Sequence, residues 1–159
     1  MKTPSESQIE MREMVMPGDI NPRGTIFGGK IMSWMDIAAA MVAERHCNQP
    51  VVTVHISDID FISPIKVGYH AVIRASINFV GKSSMVIGVR VDSENPYTGH
   101  TRKCTKAYLT FVALDDLGKP QMVPKLKPTT EDEQRRFENA KARVRQRKEL
   151  SKQIKQDNP

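Results

Sequence analysis

Gly28-Gly29-Lys30-Ile31-Met32-Ser33-Trp34-Met35-Asp36-Ile37-Ala38-Ala39-Ala40-Met41-Val42-Ala43 is the stretch that decides how this chain folds. From Ile31 onward, apolar side chains recur at almost every angle of a 3.6-residue turn. That pattern predicts a helix between Gly28 and Cys47 with most of its circumference buried. The apolar run from Ile31 to Ala43 contains Ser33 and Asp36 and falls well short of the ~20 clean residues that cross a bilayer. A central core helix is expected, and no membrane span.

Downstream of the helix the periodicity changes from 3.6 to two. Val51 to Ile62 is rich in β-branched residues, with Val52, Val54 and Ile56 alternating before a change of phase near Ser57-Asp58 that predicts a bulge. In the next run Ala71, Ile73, Ala75, Ile77 and Phe79 point one way, while Val72, Arg74, Ser76 and Asn78 form a mostly polar opposite face. A further strand carries Met85, Ile87, Val89 and Val91, and another runs from Lys103 to Leu114 with apolar residues on both faces from Leu109 onward. Gly81-Lys82-Ser83-Ser84 and Asn95-Pro96-Tyr97-Thr98-Gly99 supply turns, and Ile9 to Met16 is a short strand candidate upstream. Turns this short cannot make parallel crossovers, so the strands form an antiparallel sheet with the helix laid across one face, an α+β domain.

The remaining sequence narrows the class. A chain of 159 residues, 39% apolar and 26% charged, is one globular domain rather than a disordered segment or a coiled coil. Its net charge of +6 is uneven: residues 1–130 hold 15 Lys and Arg against 12 Asp and Glu, whereas residues 131–159 hold 9 against 6. The composition breaks near Pro124-Lys125-Leu126-Lys127-Pro128, dividing the chain into a domain over 1–128 and a charged helical extension over 129–159. Acids at Glu131-Asp132-Glu133 and bases at Arg143, Arg145, Arg147 and Lys148 favour a helix from about 131 to 152 through its dipole. Its apolar stripe is Phe137, Ala140 and Val144, and fraying is expected at Gln156-Asp157-Asn158-Pro159. Nucleic-acid binding by this tail would rest on charge alone, without interleaved aromatics, and is not expected. Nor is a secretory signal, since no apolar region follows Met1-Lys2; a cytoplasmic location is expected. Cys47 and Cys104 then read as free thiols. His46, His55, His70 and His100 lack metal-ligand spacing, so no metal site is expected.

Two features carry chemistry. Asp36 is the only acid in the apolar stretch, where a carboxylate is costly unless paired. Lys30, Ser33, Asp36, Ala40 and Glu44 share one helical stripe, so Asp36 either faces solvent there or sits in a dry cleft, usable as a general base. The second feature is the loop Asn21-Pro22-Arg23-Gly24-Thr25-Ile26-Phe27-Gly28-Gly29. Alone it reads as a turn, but set before a helix N-terminus its free N–H groups can hold an oxyanion. Asn21 adds a side chain that both donates and accepts hydrogen bonds. Ser33 has no Gly-x-Ser-x-Gly elbow around it, which argues against a serine-hydrolase triad.

Met16-Pro17-Gly18-Asp19-Ile20-Asn21-Pro22-Arg23-Gly24-Thr25-Ile26-Phe27-Gly28-Gly29, Met35-Asp36, Val52-Thr53-Val54, Asp60-Phe61, Pro64-Ile65, Val67-Gly68 and Gly81-Lys82-Ser83-Ser84-Met85 together resemble the hotdog-fold acyl-CoA thioesterases of the YciA-like, cytosolic acyl-CoA hydrolase type. The resemblance covers roughly residues 9–125. It implies a five-stranded antiparallel sheet wrapped around the central helix. It also implies paired domains in a homo-oligomer, a trimer of dimers, with Asn21 of one chain and Asp36 of its partner in one active site. The implied reaction is hydrolysis of a fatty acyl-CoA without a cofactor. Asp36 activates water or attacks directly through an anhydride, Asn21 orients the water or carbonyl, and Gly28 and Gly29 stabilise the oxyanion. Gly81, Lys82, Ser83 and Ser84 contact CoA. A different class, a non-catalytic acyl-CoA or nucleotide sensor on the same fold, stays open because a minimal hydrolase has no need of the charged tail.

Overall fold

In the computed structural model, which describes residues 1–154, helix α1 (Gly28–Cys47) runs through the centre of the molecule. It ends where Asn48 takes the left-handed conformation, φ 55°, and donates its N–H to the Glu44 carbonyl at 2.7 Å, a common helix terminator. Its buried face is Ile31, Trp34, Met35, Ala38, Ala39, Val42, Ala43, His46 and Cys47. The alanines let the helix lie close to the sheet, above all to the two strands at its middle.

Around α1 curl β1 (Ile9–Met14), β2 (Val51–Phe61), β3 (His70–Val80), β4 (Ser84–Glu94) and β5 (Thr101–Ala113). They form one antiparallel sheet in the order β1-β3-β4-β5-β2. The α+β arrangement is the one implied above, and its inner face is a continuous apolar layer in which Ile77, Ile87 and Leu109 lie side by side. Cys47 and Cys104 are free and buried; burial raises both thiols, that of Cys104 to about 11, leaving them inert.

Three details depart from simple alternation. The bulge expected at Ser57-Asp58 is present, with Asp58 at φ 58°, but a second register shift falls between Thr53 and His55. The extra residue turns Thr53 toward α1 and puts Val52 and Ile56 on opposite faces. Val52, Val54 and Ile56 are all exposed, because β2 is an edge strand. On β3 a shift between Ile77 and Phe79 rotates Phe79 away from Ile77 to the outer face. That face is not the solvated polar surface the alternation predicts: Val72 and Asn78 are buried. Gly88 makes the room, since a Cβ there would stand 2.6 Å from Asn78 Nδ2.

The cover is helix α2 (Glu131–Gln153), capped reciprocally by Thr130 and Glu133. It crosses the outer face against β3, burying Ala140 completely and setting Phe137 edge-on to Phe79 at 5.2 Å. The expected fraying at 156–159 lies outside the described residues. None of the described helices is long and apolar enough to cross a membrane.

At the end of α1, the fully buried His46 pairs through Nε2 with the Pro124 carbonyl at 2.8 Å, fastening the helix to the segment that follows β5. A carbonyl accepts, so Nε2 carries the proton, and Nδ1, buried with no partner among the described residues, has no acceptor for a second one. Burial lowers the His46 pKa from its ordinary 6.5. The unfolded chain therefore takes up a proton that the folded chain refuses. Stability is complete above about pH 6.5 and declines as pH falls toward the lowered folded value. Thermal midpoints of wild type and His46→Gln, compared at pH 7.5 and 5.5, should show the smaller acid-induced drop in the variant.

Candidate active site

The loop before α1 is built by its own polar atoms. Asn21 Oδ1 accepts from the Arg23 N–H at 2.9 Å and the Thr25 N–H at 3.3 Å, while Nδ2 donates to Thr25 Oγ1 at 3.0 Å. Gly24, at φ 80°, supplies the left-handed position that closes this turn. Asp19 ties the loop to the helix: its side chain accepts from the Met16 N–H, its carbonyl accepts from the Phe27 N–H, and its other carboxylate oxygen lies 3.6 Å from Lys30 Nζ. The result is a fixed entry to α1 at Gly28. Among the described residues nothing accepts from the N–H of Gly28 or Gly29, so two donors point out of a helix N-terminus. Phe61, at the end of β2, sits over Gly28, where a Cβ would meet its ring at 3.4 Å.

Asp36 lies two turns further on, half-buried. Its Oδ1 accepts from Thr53 Oγ1 at 2.7 Å, a bond that orients the carboxylate and leaves Oδ2 available. The β2 bulge aims Thr53 at this point, in keeping with the placing of bulges beside functional residues. Sequence reasoning passed over Thr53 as part of a β-branched run; the signal for it is a hydroxyl between Val52 and Val54 at an inward position.

Within one chain the expected residues do not meet. Eight residues of helix separate Gly28 from Asp36, about 12 Å along the axis at ~1.5 Å per residue, and Asn21 is engaged within its own loop. A carbonyl held at the helix N-terminus cannot also lie beside the same chain's Asp36. Beside Asp36, α1 exposes the apolar side chains Met32, Ile37 and Met41, and the stretch of β2 after Thr53 exposes Val54 and Ile56, with Ile37 51% and Val54 53% exposed. An apolar patch next to an unpaired sheet edge is the surface of a protein contact.

The turn at Gly81-Lys82-Ser83-Ser84 stands at the same end of the sheet. Ser84 is opposite Val112, which is opposite Val52 beside Thr53, so two strand spacings, about 10 Å, separate turn and Thr53. The Gly81 N–H donates to the Ser84 carbonyl at 2.8 Å, and Lys82 is exposed. Among the described residues no cluster of His, Cys, Asp or Glu has the arrangement of a metal site.

Residues 23–100 match the family described as the Thioesterase superfamily. The chain is 38% identical, over 93% of its length, to an acyl-CoA thioester hydrolase of Bacillus subtilis, YkhA, of which it covers 89%. It is also 38% identical to the cytosolic acyl coenzyme A thioester hydrolase of Mus musculus over 92% of its own length, spanning only 39% of that longer protein. An apo-hexameric acyl-CoA thioesterase superposes with a TM-score of 0.91 at 38% identity, covering 95% of this chain and 98% of its own. The acyl-CoA hydrolase of Staphylococcus aureus, solved with butyryl coenzyme A, coenzyme A and coenzyme A disulfide, superposes with a TM-score of 0.89 at 36% identity over 97% of this chain and 94% of that one. That hydrolase has also been solved with alanine replacing an asparagine, an aspartate and a threonine, which stand 15 and 17 positions apart. Asn21, Asp36 and Thr53 have the same separations.

Proposed function

Because this chain belongs to the thioesterase superfamily, within its acyl-CoA thioester hydrolases, we propose that Asn21 and Asp36 hydrolyse acyl-CoA in a site completed by two copies of the chain. The protein is an acyl-CoA thioesterase: water and a fatty acyl-CoA give the free acid and CoA. The observation that carries the site is Asp36, held by Thr53 and open toward an apolar, unpartnered surface, while the donors that fit an oxyanion lie about 12 Å away on the same helix. A second chain seated on that surface brings its own loop to this Asp36. The protein is accordingly a homo-oligomer, and a trimer of dimers is the assembly proposed. Residues 1–128 are taken as the catalytic domain and 129–159 as an extension, in a cytoplasmic protein.

In each site Asp36 takes a proton from water as the oxygen attacks the thioester carbon, and the partner chain's Asn21 orients the water or the carbonyl. The N–H groups of Gly28 and Gly29 receive the negative charge that develops on the carbonyl oxygen. Collapse of the tetrahedral species breaks the C–S bond, and the departing sulfur takes up the proton to give the CoA thiol. Direct attack by Asp36 through an anhydride uses the same geometry. Gly81, Lys82, Ser83 and Ser84 hold the CoA end, since their turn lies at the catalytic end of the sheet and carries an exposed cation. No cofactor enters this scheme. The matching separations of asparagine, aspartate and threonine support these roles.

The test is thiol release from a panel of acyl-CoAs of increasing chain length. Turnover with at least one member is expected; tight binding with no release at any length would instead favour a sensor. Thr53→Val removes the donor to Asp36 while keeping the β-branched shape. Hydrogen bonds to charged groups are worth ~1.5–3 kcal/mol, so turnover should fall roughly 10-fold or more with the fold retained, as read from kcat and circular dichroism.

A further inference from the structure

On the outer face of the sheet, Arg74, Arg90 and Lys106 stand directly opposite one another on β3, β4 and β5. Like charges in one cross-strand row are destabilising. Two acids offset part of this: Asp92 bridges Arg74 at 3.0 Å and Arg90 at 2.9 Å, and Glu10 takes Arg74 at 2.8 Å. Lys106 and its neighbour Lys103 have no carboxylate within 4.0 Å among the described residues.

Helix α2 adds to the charge instead of neutralising it. Arg135, Arg136 and Arg143 face the same space, and only Arg135 is paired among the described residues, with Asp132 of its own first turn at 3.0 Å. Sheet and helix thereby enclose a cleft of about 770 Å³ lined by seven cationic side chains and one acid, Glu10. That volume lies within the range of small-molecule sites, roughly 300–1,000 Å³. Arg143 stacks on Tyr108 at 3.6 Å, and its Nη1 is buried with no hydrogen-bond partner among the described residues. A buried charged donor left without an acceptor is costly, and an anion beside it is what would satisfy it.

We propose that this cleft binds a small anion carrying two or more phosphate groups. Glu10, Asp92 and Asp132 pair Arg74, Arg90 and Arg135, which leaves Lys103, Lys106, Arg136 and Arg143 with no carboxylate within 4.0 Å among the described residues. Four such cations exceed what a single carboxylate neutralises, and the planar guanidinium groups match phosphate oxygens. The cleft lies half open between one helix and one sheet, and its volume suits a compact ligand. The sheet separates it from Asp36 and Thr53, which lie on the α1 side, so occupancy does not compete for the acyl group. The CoA end is assigned to the turn at Gly81-Lys82-Ser83-Ser84 in the function proposed above, on which this rests, so the phosphates are those of a free polyphosphate.

Calorimetric titration of the full-length protein with inorganic tripolyphosphate tests this. Saturable binding that weakens with salt is expected, and Lys106→Gln/Arg136→Gln should weaken it at least ~10-fold through loss of two charge-assisted contacts. Thiol release from acyl-CoA should stay at the wild-type rate, because neither residue belongs to the catalytic machinery. Bound tripolyphosphate should be indifferent to CoA; its displacement by CoA would overturn the proposal by assigning the cleft to the substrate's own phosphates. Lys141→Gln/Lys148→Gln removes the same charge from the helix outside the cleft and should bind as wild type. The proposal is overturned by an absence of saturable binding, by undiminished affinity in the cleft variant, or by an equal loss in the control.

Discussion

Asp36→Asn is expected to lower acyl-CoA turnover by roughly 10²-fold or more while the protein keeps its fold and assembly. The side chains are nearly identical in size, and an asparagine Oδ1 accepts the hydrogen bond from Thr53 Oγ1 as the carboxylate does at 2.7 Å. Packing at this half-buried position therefore has little reason to change. What disappears is the capacity to take a proton from water, a contribution worth ~10²–10⁴-fold in general-base catalysis. If Asp36 attacks the thioester directly, the loss is at least as large, since an amide is a far weaker nucleophile. The measurement is kcat on the acyl-CoA the enzyme turns over fastest, with oligomeric state and circular dichroism checked on the same sample. Near-normal turnover in a correctly assembled variant would remove Asp36 from the chemistry.

Helix α1 was legible because its signal is local and redundant. Ile31, Trp34, Met35, Ala38, Ala39, Val42 and Ala43 are all buried, and any few of them suffice to set the period. The same pattern also marks Met32, Ile37 and Met41 as core, yet in a single chain they are exposed. Periodicity reports that a face is to be covered without saying by which molecule. The outer face of β3 shows the converse. Val72 and Asn78 sit among Arg74 and Ser76, and nothing near them announces the cover that α2 provides more than fifty positions later. The β2 bulges were half visible: Ser57-Asp58 breaks the alternation, whereas the shift at Val54 hides in an unbroken β-branched run and shows only through pairing with β5. Thr53 was missed for that reason, because its inward orientation depends on the bulge and its partner stands 17 residues earlier on another element. The charged tail read correctly as a helix through its acidic start and basic end; its docking through Phe137 on Phe79 required the β3 shift that brings Phe79 outward.

Mixed oligomers carrying Asn21→Ala on one chain and Asp36→Asn on the other should regain activity that neither parent has. Each parent assembly is damaged at every site, because a symmetric contact places the same two residues in both of its sites. In a mixed dimer whose sites join Asn21 of one chain to Asp36 of the other, one site combines both lesions and the second pairs two intact residues. Half of the sites then work, and turnover should approach half the wild-type value, far above parents lowered by roughly 10²-fold. The geometry within one chain motivates the design: about 12 Å of helix separates the donors at Gly28 from Asp36, and Asn21 shares no hydrogen bond with Asp36 but is spent on Arg23 and Thr25. Co-expressed chains with different tags, purified sequentially through both, supply the hetero-oligomer, and turnover is compared per site with each parent. Assemblies built at random from three dimers dilute the gain without abolishing it, so the recovered fraction must be read against the measured proportion of mixed dimers. If both residues served one site from one chain, every site in a mixed dimer would retain a lesion and mixing would restore nothing. That result would move the site back within a single chain while leaving thioester hydrolysis by this protein untouched.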